Sequence, residues 1–307
     1  MKLAGLFDPF DTLAKDKFFK TYWNKAPIKI VGASDKFSAL PSSKLLPAMC
    51  TGKLEDNFWK QTTNTSANAI IADKNGDIMQ LNNVPISMYS QLYNAGYGLC
   101  FQDISASDQE LQELVEDTKT LSPFRSDISV TCYLTPPNSN GVLHFDHQHI
   151  FLMQREGTKF WRISETPAIS NPIQNFVYQN PDQAYLDAMR KKGYAISIPS
   201  RCGFQDIKLS AGDLLYLPPG YYHLQHTQED HSFHYTLTLD TVSFWNLFLS
   251  SIQLELLKHS STYNSDIRML ESGGREKFLA EQLTALKNNI NALEVSDMEI
   301  TYKNSLF

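Results

Sequence analysis

The 307-residue chain carries 27 Lys and Arg against 33 Asp and Glu, a net charge of −6, with 42% apolar and 20% charged residues. This balance is globular and excludes a disordered or fibrous chain. With no basic surplus to displace counterions from phosphates, direct nucleic-acid binding is not expected. Cys50, Cys100, Cys132 and Cys202 stand far apart without metal-site spacing and read as thiols of a reducing compartment. No run of about 18 apolar residues offers a membrane span, and the opening apolar stretch is too short for a signal peptide. A cytoplasmic protein is expected. At about 150 residues per domain, the length fits one large domain with appendages, or two.

Asp8 to Trp23 has helical spacing, with Leu13, Phe18, Phe19, Tyr22 and Trp23 on one side and a break at Ala26-Pro27. Ile28 to Val31 reads as a short strand ended by Gly32, and Gln61 to Asn68 as a polar loop. Over 107–119, Ser107 and Glu110 form a capping box ahead of Leu111, Leu114 and Val115, predicting a capped amphipathic helix. Strand-like runs follow at 127–135, 143–154, 159–164, 213–217 and 233–240, with turns at Pro136 to Gly141 and Arg155 to Gly157. Short strands without long intervening helices predict a sandwich or barrel. One helix, Pro181 to Lys192, falls in the connection between Glu165 and Gly212, and helices at 242–258 and 275–293 close the chain.

His144-Phe145-Asp146 opens an extended apolar run, and alternate side chains of a strand share a face, so the imidazole and the carboxylate point the same way. Alone, this pattern is commonplace. Gly212 to Leu217 then runs into Pro218-Pro219-Gly220, and that turn aims His223; the duller reading is a surface hairpin with an idle histidine. Two histidines and one carboxylate make a facial triad with three open positions, which suits non-haem Fe(II) beside a bidentate co-substrate, although the same ligands accept Mn, Co, Ni or Zn. Lys159, on one face with Trp161 and Ile163, must either snorkel out or find an anion. Trp161, Phe160 and Phe151 read as core, and Arg190-Lys191-Lys192 as a helix end stabilised by its dipole.

Tyr133 to Pro137, His144-Phe145-Asp146, Phe151 to Gln154, Gly157 to Arg162 and Gly212 to His223, together with the opening Phe18 to Pro27, resemble the JmjC/cupin-type ribosomal oxygenases. The resemblance covers roughly residues 10–240. It implies a mainly β fold: a double-stranded β-helix (jelly roll) with N-terminal α/β elements and C-terminal helices. It also implies Fe(II) held by His144, Asp146 and His223, with 2-oxoglutarate and O2 as co-substrates. The 1-carboxylate and 2-oxo group of 2-oxoglutarate would chelate the iron and its 5-carboxylate would meet Lys159. Thr135 and His234 match positions where relatives contact the co-substrate.

The expected organisation is 1–122 packing on the core, 123–241 as jelly roll with an insert at 165–211, and 242–307 as a helical region forming a homodimer. His147 and His149 stand where relatives carry acidic residues and by alternation face away from the metal, as exposed or second-layer groups. His226 and His231 lack the turn-fixed position of His223. The long 165–212 connection suits a lid or substrate wall. The expected activity is hydroxylation of an amino-acid side chain in a protein or peptide. The rivals are the same chemistry on a small molecule, such as a free amino acid or biosynthetic intermediate, and a non-catalytic metal-binding cupin.

Overall fold

A computed structural model describes residues 15–43, 67–72, 78–119, 127–178, 183–240, 248–249, 251–253 and 272–292. Contacts divide the chain into two units, 1–121 with 127–240, and 122–126 with 241–307. In the first unit, helix α1 (Lys15–Thr21) precedes β1 (Ile28–Ile30), β2 (Ala67–Ala72), β3 (Ile78–Val84), α2 (Tyr89–Asn94) and β4 (Gly98–Phe101). Helix α3 (Gln109–Lys119) leads to β5 (Ile128–Thr135), β6 (His144–Phe145), β7 (His149–Ser164) and β8 (Phe176–Val177). Helix α4 (Gln183–Lys191), β9 (Phe204–Ser210), β10 (Leu214–Leu217), β11 (His223–His226) and β12 (Ser232–Leu239) complete it.

All pairings are antiparallel, and β7 belongs to two layers. Residues 149–157 of β7 pair with β12, and 150–153 also with β10, whereas 158–164 pair with β9 and 160–163 with β11. One layer runs β3-β2-β4-β5-β12-β7, continued by β10 and β1; the other joins β9, β7, β11, β6 and β8. This curled double sheet is the jelly roll.

Alternation sorts its side chains. Val130, Cys132, Leu134, Phe233, Tyr235 and Leu237 point outward into a core shared with Phe18 of α1, Phe101 of β4 and Leu111 and Leu114 of α3. Their alternates face inward, where Ile150, Leu152, Leu215 and Leu217 of one layer meet Trp161, Ile163 and Leu209 of the other. Each such fully buried aliphatic side chain contributes about 1.5–3 kcal/mol. That apolar plug leaves the polar inward residues gathered elsewhere in the barrel.

Several expectations change. No turn divides 143–164 at Arg155: β7 passes through it as a bulge, because His234 pairs with Gln154 and Phe233 with Glu156, leaving Arg155 as the extra residue. Gly157 has φ +66°, and a Cβ there would stand 1.9 Å from the His231 carbonyl oxygen, so glycine permits the kink without ending the strand. The run breaks instead at 146–148, where the chain crosses from one layer to the other. Helix α3 is capped by Asp108, whose Oδ1 accepts from the N–H groups of Glu110 and Leu111, while Ser107 ends a preceding 3-10 turn, Ile104–Ser107. The last two residues of the expected polar loop, Ala67 and Asn68, begin β2.

The 165–211 insert supplies β9 as a wall of the second layer. Its Ala168, Phe176, Ile196 and Cys202 pack on Phe145 and Tyr222, so that part is core covering. Helix α1 begins at Lys15, and residues 8–14 of the expected helix lie outside the described residues. Of the helix expected at 242–258, residues 248–249 and 251–253 are helical and the others lie outside the described residues. In the second unit, α5 (Ser272–Ala292) exposes Leu279 and Leu283 at 46% and 51%. Among the described residues no helix is long and apolar enough to cross a membrane.

Candidate metal centre

β6 and β11 are neighbours, and their register sets His144 directly opposite His223. Cross-strand partners share a face, so the two imidazoles meet inside the barrel with ring centroids 4.1 Å apart. Asp146 follows β6 by one residue, and its carbonyl accepts a 2.8 Å hydrogen bond from the N–H of Gly220 in the Pro-Pro-Gly turn. That turn needs glycine: φ is +80°, and a Cβ would meet the Ile169 carbonyl oxygen at 2.0 Å. One backbone bond therefore ties the Asp146 loop to the turn that launches His223.

Asp146 Oδ2 lies 3.3 Å from His223 Nε2 and 3.7 Å from His144 Nε2. One ligand atom from each of the three residues lies within 4.8 Å of the others, a spacing fit for one shared cation. Both imidazoles are oriented from behind, with His144 Nδ1 2.9 Å from the Val142 carbonyl and His223 Nδ1 3.0 Å from that of Tyr221. A carbonyl accepting from Nδ1–H leaves each Nε2 lone pair facing the common point. Burial, then the neighbouring His223, lowers the His144 pKa and favours the neutral, ligating form. Burial pushes the Asp146 carboxyl up, but the imidazoles of His223 and His144 outweigh it and hold the group at about 2. The donor set of two neutral imidazoles and one carboxylate suits a divalent first-row metal.

Beyond the triad the inner face turns polar. The Trp161 ring lies 6.0 Å from that of His223, and Lys159 Nζ stands 5.7 Å over the same indole. Lys159 is completely buried, and its ammonium donates to Thr135 Oγ1 at 2.9 Å. Tyr133 flanks it, with the ring centroid 6.0 Å from Nζ, and stacks on His234 at 4.9 Å and 6°. Burial lowers the Lys159 pKa to about 7, and burial followed by the Lys159 charge keeps His234 neutral, well below its ordinary value.

Among the described residues no carboxylate pairs with Lys159. Trp161 Nε1, Gln225 Oε1, His234 Nδ1 and Thr236 Oγ1 are also enclosed without a hydrogen-bond partner among them. Each such atom costs about 1–3 kcal/mol. A buried ammonium without an anion, beside unpartnered polar atoms and next to three convergent ligand atoms, fits a site for an anionic chelator.

The structure thus brings together all six residues singled out from sequence: His144, Asp146 and His223 at one point, and Lys159, Thr135 and His234 beside it. It adds Tyr133, Trp161, Gln225 and Thr236. Each lies two residues from a singled-out position, on the same strand and face, and that alternation was the available signal.

The other histidines point elsewhere. His149 is buried on the outer face, stacked on Trp23 at 3.9 Å with Nδ1 2.8 Å from the Tyr216 hydroxyl. His147 Nδ1 lies 2.6 Å from Asn175 Oδ1. His226 stacks on Phe160, and His231 faces Glu156 at 3.7 Å.

Comparison with known proteins agrees with this geometry. A family profile described as a JmjC domain matches residues 104–247. The bifunctional lysine-specific demethylase and histidyl-hydroxylase NO66 of Drosophila grimshawi is 27% identical over 274 residues, 87% of this chain and 34% of that protein. The NO66 of Drosophila pseudoobscura pseudoobscura is 31% identical over 243 residues, 77% of this chain and 22% of that protein. The chain thus spans about a third or less of these curated relatives. The X-ray structure of E. coli YcfD matches with a TM-score of 0.56 at 17% identity, covering 90% of this chain and 68% of that one. The same ribosomal oxygenase in complex with cobalt and 2-oxoglutarate matches at 0.54 and 16%, covering 90% and 67%. The JmjC profile lies over the paired histidines and the buried lysine, so residues 104–247 match a JmjC domain, and the chain shares the fold of YcfD.

Proposed function

We propose that this chain is an Fe(II)- and 2-oxoglutarate-dependent oxygenase that hydroxylates an amino-acid side chain in a protein or peptide. The observation that carries this reading is the convergence of His144, Asp146 and His223 beside a buried Lys159 that has no anionic partner among the described residues. The relatives support it: NO66 is named a demethylase and histidyl-hydroxylase, and YcfD, a ribosomal oxygenase, has been solved with cobalt and 2-oxoglutarate.

Bound iron with 2-oxoglutarate would supply activation of O2, with succinate and CO2 as co-products of hydroxylation. His144, Asp146 and His223 would hold the metal, which would bind co-substrate and O2 beside them. Lys159 would neutralise the far carboxylate through a charge-assisted bond, with Thr135 orienting its ammonium. His234, neutral beside Lys159, would offer a hydrogen bond without adding charge. Ile150, Leu152, Ile163 and Leu215 close the barrel with apolar surface and keep water from the reacting groups.

The test is anaerobic Fe(II) plus 2-oxoglutarate, watched for the weak visible charge-transfer band of their chelate, in the unaltered chain and in Asp146→Ala. A band needing both components and lost in the variant supports the reading; no band in iron-loaded protein overturns it. A cytoplasmic location is part of the proposal, supported by Cys100, Cys132 and Cys202 being buried and not disulfide-bonded. So is a homodimer through the C-terminal helices, supported by exposed Leu279 and Leu283, four residues apart on α5.

A further inference from the structure

The roles above leave the indole nitrogen of Trp161 unused. Trp161 is buried, and its Nε1–H has no acceptor among the described residues. The ring sits between the two ends of the site, 6.0 Å from the His223 ring on one side and with Lys159 Nζ 5.7 Å away on the other. His234 meets it edge-on at 5.9 Å and 88°, closing a further side. Phenylalanine would also supply an aromatic wall here, though a smaller one and without a donor. What the indole adds is one buried donor, beside a buried cation that has no anionic partner among the described residues.

We propose that Trp161 is a co-substrate-binding residue whose Nε1–H donates to the far carboxylate of the ligand that Lys159 neutralises. The inference rests on the reading given under Proposed function. A carboxylate has two oxygens and about four lone-pair sites, so Lys159 alone leaves acceptor capacity to be satisfied in a dry pocket. The ammonium supplies charge without directional preference, whereas an N–H fixed on a packed ring supplies direction. Together they would select a ligand that ends in a carboxylate at one chain length.

The experiment is Trp161→Phe, which keeps an aromatic ring and removes the donor, with a ligand lacking the far carboxylate to control for the lost volume. Anaerobic Fe(II)-loaded protein is titrated with 2-oxoglutarate and with 2-oxopentanoate, the same five-carbon chain without the far carboxylate, by the charge-transfer band. Affinity for 2-oxoglutarate should fall about tenfold or more, while affinity for 2-oxopentanoate changes less than about twofold. Unchanged 2-oxoglutarate affinity, or an equal loss for both ligands, overturns the role of Trp161 while leaving the oxygenase reading standing. Absence of any band in the unaltered protein overturns both.

A second measurement covers a variant that fails to fold. Among the indole N–H resonances of the four tryptophans in unaltered, zinc-loaded protein, 2-oxoglutarate should move one downfield and 2-oxopentanoate should not. No such selective shift overturns the proposal.

Discussion

Lys159 Nζ stands 2.9 Å from Thr135 Oγ1 inside the barrel, an ammonium with three donors whose acceptor among the described residues is one hydroxyl. Such a group is under-bonded and costly to bury. The site is thereby prepared for an anion at the expense of the empty fold.

Lys159→Met should therefore stabilise the cofactor-free protein. Methionine matches the stem and removes the buried charge, so urea unfolding should show a gain of about 1–3 kcal/mol. The same variant should lose 2-oxoglutarate binding in the anaerobic titration while still taking up iron. A destabilised variant would mean that Lys159 is satisfied within the fold.

The lowered Lys159 pKa, about 7, sets a pH dependence. Between pH 7 and the ordinary lysine range the unfolded chain binds the extra proton, so the stability of the cofactor-free protein rises with pH across that window. Below about 7 both states are protonated and the burial cost is present in full. Co-substrate binding runs the other way, because the anion needs the ammonium. Affinity for 2-oxoglutarate should fall above pH 7, by up to about tenfold per unit. Lys159→Arg, always charged, should flatten the profile in titrations from pH 6.5 to 9.

His149 predicts a separate effect at acid pH. Burial lowers its pKa to about 3, so the folded protein holds it neutral while the unfolded chain protonates it near 6.5. The stability this represents is present above pH 6.5 and is lost as pH falls toward 3, at up to about 1.4 kcal/mol per unit. His149→Phe keeps the stack on Trp23 and removes the titration. Its unfolding free energy, measured from pH 4.5 to 7.5, should vary less steeply than that of the unaltered chain.

Metal should stabilise the fold through the triad. At a free concentration 100 times Kd, one site adds about 2.7 kcal/mol, so Fe(II) or Mn(II) should raise Tm under nitrogen. Asp146→Ala should abolish the shift without changing the metal-free Tm by as much. An equal metal-induced rise in both proteins would place the cation elsewhere.

The residues most legible from sequence are those whose position is set locally. His223 follows a Pro-Pro-Gly turn, and His144 and Asp146 are two residues apart, so short-range geometry places them. Lys159 stood out because an ammonium on an apolar face is an anomaly. Trp161 and Gln225 escaped because an indole beside apolar residues reads as core, and the orphaned Nε1 shows only when both layers are assembled. The burial of His149 depends on Trp23 and Tyr216, which arrive from distant segments. Asp108 and Ser107 offer adjacent capping chemistries, and hydrogen bonds to the backbone decide between them. Strand β9 was hidden because Gln205, Asp206 and Lys208 are exposed and polar, and only its pairing with β7 makes it a strand.

The kink at Gly157 makes chain length itself a functional quantity. In an extended segment, inserting or deleting one residue exchanges inside for outside. One residue gained or lost between Gln154 and Lys159 would swing the lysine to the outer surface and present Phe160 or Thr158 to the cavity. The stretch Arg155-Glu156-Gly157, which reads as the sort of glycine turn that tolerates resizing, is therefore the part of this barrel least free to change its residue count. Grafts, tags and circular breaks belong elsewhere, because here a shift of a single position would empty the anion site and also turn Trp161 and Ile163 away from His223, on the strand paired with theirs.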